Sequence, residues 1–194
     1  MAAAIVTTAL APGFDAWYAV KVLLTSGVLW LFRAAYRQLA WGWSLPSVAI
    51  GAAVFAVWVL LEPAPASAPT VPTELAALPA WLVALWLAFR VVGSVVVVPL
   101  VVELAFRGYL LRKLTAWDFD AVDLRQFALF ALLPSSLLFG VMHGRWLAGT
   151  LAGMAYALAV YHRGRIGDAV VAHATTNGLI TVAVLLFGQW HLWS

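Results

Sequence analysis

The chain has no cysteine, which excludes disulfides, thiolate metal centres and a cysteine nucleophile. Charge is nearly as scarce. Only 10% of the 194 residues are charged and 65% are hydrophobic, against about 25% and roughly 45–50% in an ordinary soluble domain. A soluble fold of this length has too little interior to hide so much apolar surface. Eleven basic and eight acidic residues leave a net charge of +3, too small and too scattered for a nucleic-acid footprint, so no nucleic acid is expected as a partner. No His-Glu-x-x-His pair, Gly-x-Ser-x-Gly elbow or glycine-rich phosphate loop occurs, which removes the usual signatures of zinc peptidases, serine hydrolases and nucleotide enzymes.

Long apolar runs are what the chain has instead. The clearest are Trp17–Phe32, Pro46–Leu61, Ala80–Leu100, Gln126–Met142, Trp146–Tyr161 and Ala169–Trp190. Their lengths approach the roughly 17–25 residues of a spanning helix, and none alternates like a barrel strand. The reading is an all-α, polytopic transmembrane bundle of six to eight helices, forming one integral membrane domain over residues 1–194 with lipid as its surroundings. The first run ends in Arg33 and Arg37 and follows no basic leader, so it reads as a retained helix. Trp41, Trp43, Trp81, Trp117, Trp146, Trp190 and Trp193 fall near predicted ends, where indoles favour the headgroup layer. A seventh span would arise if the chain turned at Gly93-Ser94.

The segment Glu62 to Pro79 holds most of the prolines and no basic residue, and reads as a stiff surface loop. With six spans and the N-terminus outside, Arg33, Arg37, Arg112, Lys113, Arg125, Arg163 and Arg165 face the cytoplasm, as positive loops do. Arg145 alone falls on the other side.

Ionisable side chains within apolar helices cost several kcal/mol unless paired or hydrated, so they carry the functional information. Three clusters stand out. Glu103 and Arg107 are four residues apart and share a helix face, acid before base; the plain alternative is a neutralised pair. His143 closes a run between Met142 and Gly144; the plain alternative is an interfacial histidine. His173 and Asn177 stack one turn apart, where they could also serve as inter-helix hydrogen-bonding groups. Together these are the parts for water activation and oxyanion stabilisation. A carboxylate and an imidazole can deprotonate a water, and a second imidazole and an amide can donate to a tetrahedral intermediate. Gly149-x-x-x-Gly153 reads as a close-packing helix face.

The three clusters resemble the CAAX protease and bacteriocin-processing (Abi) intramembrane glutamate proteases, whose pattern is Glu-Glu-x-x-x-Arg, Phe-x-x-x-His, then His-x-x-x-Asn. Glu103 and Arg107 match the second glutamate and the arginine, Phe139 and His143 the second motif, and His173 and Asn177 the third. The match covers residues 95–180. The Trp-rich N-terminal half and the ending Gly188-Gln189-Trp190-His191-Leu192-Trp193 resemble a bacterial branch associated with exosortase and PEP-CTERM sorting. The resemblance implies a bacterial inner-membrane peptidase that needs no cofactor and no metal and cleaves a protein terminus or leader peptide. It implies exosortase-type sorting proteins as partners. It gives His143 the attacking water, His173 and Asn177 the oxyanion, and Glu103 with Arg107 the support of the first motif's helix.

One position departs. Where the family has its first glutamate, this chain has Val102. In the family that carboxylate and the first histidine activate water, and valine accepts no proton. Glu103 lies about 100° around the helix. Either it substitutes or the chain is impaired, which leaves a second reading: a non-catalytic membrane partner or chaperone in a sorting system. A channel or transporter is disfavoured, for no internal repeat is evident. If the motifs form one site, Glu103, His143, His173 and Asn177 should converge on a polar cavity. Simple full-length crossings would place the two histidines at opposite faces, so a single site calls for a span broken near Gly144.

Overall fold

The computed structural model describes residues 14–61 and 71–193, and every regular element among them is helical. Eight helices follow in order: α1 (Tyr18–Leu31), α2 (Arg33–Arg37), α3 (Leu45–Leu60), α4 (Thr73–Ala76), α5 (Ala80–Thr115), α6 (Leu129–Met142), α7 (Trp146–Arg163) and α8 (Ile166–Phe187). The six long ones overlie the six apolar runs. Local chemistry sets their ends. Ser44 and Ser47 form a reciprocal capping box with Pro46 in the first turn of α3, satisfying donors a helix start leaves open. Gly164 and Gly188 close α7 and α8 at φ 68°, a conformation that a side chain would oppose.

The third run departs from expectation. It neither turns at Gly93-Ser94 nor stops at Leu100, so there is no seventh span there. It continues as one helix of 36 residues, about 50 Å long at 1.5 Å per residue. Two wide π-type turns, Gly93–Val97 and Leu104–Leu110, bracket Glu103. The first has a visible cause. Pro99 has no N–H to bond the carbonyl of Val95, and its ring crowds that carbonyl, so the preceding turn widens. Helices α5 and α8 are long and apolar enough to cross a membrane; α1, α3 and α6 are apolar but shorter.

Helix α7 packs between α6 and α8, and α3 lies against both α7 and α8. The α6–α7 contact is backbone on backbone. A Cβ on Gly149 would stand 2.6 Å from the Cα of Gly140, and one on Gly153 would stand 3.0 Å from the Cα of Ser136. The small-residue face expected from the sequence is this seam. Val98, Val102, Phe106, Phe139, Tyr156 and Ile166 belong to the central apolar cluster.

Interconnecting segments gather at two ends. At one, the amide of Ile166 bonds Ala40 O at 3.0 Å, Arg165 reaches Trp43 O at 3.3 Å, and Arg125 reaches Arg163 O at 3.2 Å. Buried Asp168 accepts from Ser44 Oγ at 2.7 Å and from Arg165 Nε at 2.9 Å. Arg112, expected in a loop, is instead buried in the last turn of α5, where it staples the following segment through Val122 O and Asp120 O. At the opposite end Arg145, the outlier of the charge pattern, reaches inward over the Trp58 ring and bonds His191 O at 3.1 Å. The expected loop is only partly described. Residues 62–70 lie outside the described set, and within the rest α4 sends Leu75 into full burial against Val184 and Trp193. Trp43, Trp81, Trp117 and Trp146 are exposed, whereas Trp193, expected at the headgroup level, is buried beside Trp86. The helix expected over Trp17–Phe32 is described as Tyr18–Leu31, and residues 1–13 lie outside the described set.

Candidate active site

Glu103 sits between the two π-type turns of α5 and is fully buried. Both of its oxygens are engaged. Oε2 stands 3.0 Å from Arg107 Nη1 as an ion pair, and Oε1 stands 2.8 Å from His173 Nδ1. Arg107 also donates from Nη2 to Gly153 O at 2.5 Å and lies over the Phe139 ring at 4.8 Å. That carbonyl belongs to Gly153, which sits in the glycine seam against Ser136 of α6. Glu103 and Arg107 were expected to hold one helix. They tie together three, α5, α7 and α8.

His143 caps α6, and its ring folds back along the helix. Nδ1 bonds Phe139 O at 2.7 Å, and the imidazole stacks on the Phe139 ring at 4.2 Å. Side chains tilt toward the helix N-terminus, which favours such a return. His173 lies seven residues into α8, about 10 Å above its start. The two imidazoles therefore approach to 6.5 Å between centroids. No span breaks to achieve this: α7 runs unbroken over Trp146–Arg163. A short α6 of 14 residues, the folded-back ring and the two-turn offset of His173 suffice. Asn177, one turn beyond His173, donates from Nδ2 to Ser94 O at 2.7 Å in the first π-type turn.

A cavity of about 120 Å³ opens here, and His143, His173 and Asn177 line it. Glu103 does not. It stands behind His173, so the expected convergence of all four residues on the cavity is met by three. Among the described residues, no aspartate or glutamate lines it. Val102 is 1% exposed and sealed among apolar side chains. The stripe Ser94, Val98, Val102 keeps a four-residue spacing along α5, and its first two members face the cavity.

The hydrogen bonds decide which nitrogens carry protons. Phe139 O only accepts, so His143 Nδ1 donates, and a neutral ring then presents Nε2 as a lone pair. His173 Nδ1 faces a carboxylate that also accepts, so a neutral His173 likewise presents a lone pair at Nε2. Donation from that nitrogen requires the imidazolium, whose charge Glu103 is placed to hold. Asn177 keeps one amide N–H beyond the one spent on Ser94.

Other side chains shape the site without having been singled out from the sequence. Tyr156 stacks on His173 at 4.9 Å and 13° and shares a 2.8 Å hydrogen bond with Thr176. Thr176 in turn donates toward Gly51 O at 2.8 Å. Trp58 meets His143 edge-on at 6.1 Å. A tyrosine or tryptophan in an apolar run carries no mark of which neighbour it will meet. Thr176 alone had a signal, lying within the His173–Asn177 motif.

Residues 79–179, just over half of the chain, match the family model of the type II CAAX prenyl endopeptidase Rce1-like proteins. No curated protein matches the chain, and no solved structure does.

Proposed function

The chain belongs to the type II CAAX prenyl endopeptidase Rce1-like family, and from that premise we propose that its cavity is a peptide site of metal-independent intramembrane peptidase design whose hydrolytic step is impaired. Members of this family are membrane proteins that act on protein substrates. The exposed apolar side chains of α6 and α8, such as Phe130, Leu137, Leu186 and Phe187, suit lipid better than water. The chain is thus read as an integral membrane protein, in the bacterial inner membrane that the motif resemblance implies.

One observation carries the impairment. From the described residues the cavity receives two imidazoles and an amide but no side-chain carboxylate, because Glu103 is spent on Arg107 and His173 and position 102 holds valine. In the proposed reaction His143 Nε2 takes a proton from a water as the water oxygen adds to the scissile carbonyl, and returns it to the leaving amine as the C–N bond breaks. The amide of Asn177 and the imidazolium form of His173 donate to the developing oxyanion, with Glu103 compensating the charge. Without a carboxylate beside it, His143 lacks the partner that would hold its positive charge as the water loses its proton. Glu103 and Arg107 serve as positioning residues.

The test is Val102→Glu in purified protein, assayed against a pool of labelled apolar peptides. A general base typically contributes about 10²–10⁴-fold, so cleavage should rise by that order and vanish again in Val102→Glu with His143→Ala. Robust cleavage by the unaltered chain, abolished by Glu103→Gln, would show that Glu103 is the base. The same absent carboxylate supports a second reading, a non-catalytic partner of a sorting system that holds the peptide without cutting it. Peptide binding with no gain of cleavage in Val102→Glu selects that reading.

A further inference from the structure

Helices α1 and α5 run side by side and meet closely at Gly93, where a Cβ would stand 2.6 Å from both the Tyr18 hydroxyl and Val22 Cγ2. One turn beyond Val22, at Ser26, they leave a groove of about 560 Å³, within the roughly 300–1,000 Å³ of small-ligand sites. Leu29 and Trp30 of α1 and Val96, Val97 and Leu100 of α5 make it apolar. Arg33 and Arg37 line its end on α2. They stand one turn apart, and both are exposed. The Tyr36 hydroxyl donates to Leu29 O, which ties α2 to the end of α1. Like charges at this spacing repel, yet among the described residues no acid lines the groove. Arg33 donates from Nη1 to Trp30 O at 2.8 Å, one of the five N–H groups of a guanidinium. Arg37 has no hydrogen-bond or ion-pair partner among the described residues.

We propose that this groove holds one anionic phospholipid, its phosphate on Arg33 and Arg37 and an acyl chain along α1 and α5. The depth agrees. From Arg33 to Ser26 is about 10 Å along the helix, less than half of the roughly 30 Å hydrocarbon core. The groove therefore stays within one leaflet, with both arginines at the headgroup level. Ala40, just beyond α2, accepts from the Ile166 amide, so these arginines share the basic end of the bundle with Arg163 and Arg165. Basic pockets between helices at such an end attract anionic headgroups, and guanidinium donors match phosphate oxygens in pairs. A second copy of the chain suits the groove less well. Two-fold docking on this face would set the arginines against one another with no acid in the patch to meet them. Val96 and Val97 belong to the π-type turn whose Ser94 carbonyl takes the Asn177 amide. The bound lipid thus touches the same turn that positions Asn177.

The proposal does not depend on peptide binding or cleavage, and its test reads lipid alone. The full chain in micelles of a neutral detergent is mixed with equal amounts of phosphatidylglycerol and phosphatidylcholine carrying the same acyl chains. Native mass spectrometry then weighs what stays bound. The expected result is one phosphatidylglycerol per chain, preferred roughly ten- to thirtyfold over phosphatidylcholine on account of the two arginines. Arg33→Gln with Arg37→Gln should abolish the preference. Val96→Trp fills the groove from an exposed position, leaves both charges in place, and should lower phosphatidylglycerol occupancy. Arg163→Gln, an exposed arginine at the same end that does not line the groove, should change neither. A preference that survives the double variant, or that Arg163→Gln reduces as much, reports a diffuse basic surface and overturns the proposal. Undiminished binding in Val96→Trp separates the phosphate from the groove and overturns it as well. Displacement of the lipid by soluble glycerol phosphate would make the ligand a free phosphate ester, and lipid-free dimers would make it a second copy. Either result also overturns the assignment.

Discussion

Oε1 of Glu103 lies 2.8 Å from Nδ1 of His173, across seventy residues of sequence and between two helices. The contact fixes the third motif's histidine on the first motif's acid. It gives Glu103 a structural duty that competes with service as a free base, and Arg107, ion-paired to the other oxygen and bonded to Gly153 O, completes a chain of polar groups through the bundle.

Removing the acid should therefore cost stability. Glu103→Leu leaves Arg107 buried and unpaired, a loss of about 3–5 kcal/mol by the behaviour of broken buried ion pairs. The double variant Glu103→Leu with Arg107→Met should recover part of that loss, since replacing a whole buried pair by apolar groups is far milder than breaking it. Thermal unfolding of the two variants in detergent measures the difference. Additive losses in the double variant would show that the pair does not act as a unit.

The two histidines should separate in stability while coinciding in chemistry. His173→Ala strips an engaged carboxylate of a partner and should cost about 1–3 kcal/mol. His143→Ala removes a bond to a helix-end carbonyl beside an open cavity, where water can replace it, and should cost less. Both should abolish whatever cleavage Val102→Glu confers. Unfolding midpoints and single-turnover assays on the same preparations give the two readouts.

The α6–α7 seam should reject even a methyl group. Gly149→Ala places a Cβ 2.6 Å from the backbone of Gly140 and should destabilise by about 1–3 kcal/mol through overpacking. It should also move Gly153 O away from Arg107. Gly27→Ala is the control, because nothing lies within 4 Å of its Cβ, and a mid-helix alanine there should gain roughly 0.5–1 kcal/mol. Equal effects at both positions would contradict the tight seam.

Metal should be irrelevant to whatever activity the chain or its Val102→Glu variant shows. A zinc site needs at least three well-placed ligands, and among the described residues no group of three His, Asp or Glu side chains is so arranged. Elemental analysis should give well under one zinc per chain, and a chelator should leave peptide binding and cleavage unchanged. One zinc per chain, lost in His143→Ala, would overturn the carboxylate–imidazole mechanism.

Much of this protein was legible in its sequence because lipid-scale apolarity is a one-dimensional property. Six apolar runs gave six long helices, but not their ends: the third run continues to Thr115, and Gly164 and Gly188 close α7 and α8 at places the apolar runs did not mark. Charged and polar residues inside those runs were conspicuous for the same reason, so Glu103, Arg107, His143, His173 and Asn177 could be named before any geometry. What the sequence could not determine was which of them meet. That depends on helix offset, ring rotation and close approach, and these arise only when helices pack. Gly140 and Gly149 let α6 and α7 meet backbone on backbone, Pro99 widens a turn within α5, and the short α6 lets His143 fold back within 6.5 Å of His173. Arg90 shows the limit most plainly. In the sequence it is one basic residue in an apolar run; in the folded protein it is buried, donates to Trp193 O and is covered by the rings of Tyr18, Trp86 and Trp193. Apolar length fixes where helices form, whereas polar pairing is decided by three-dimensional distance.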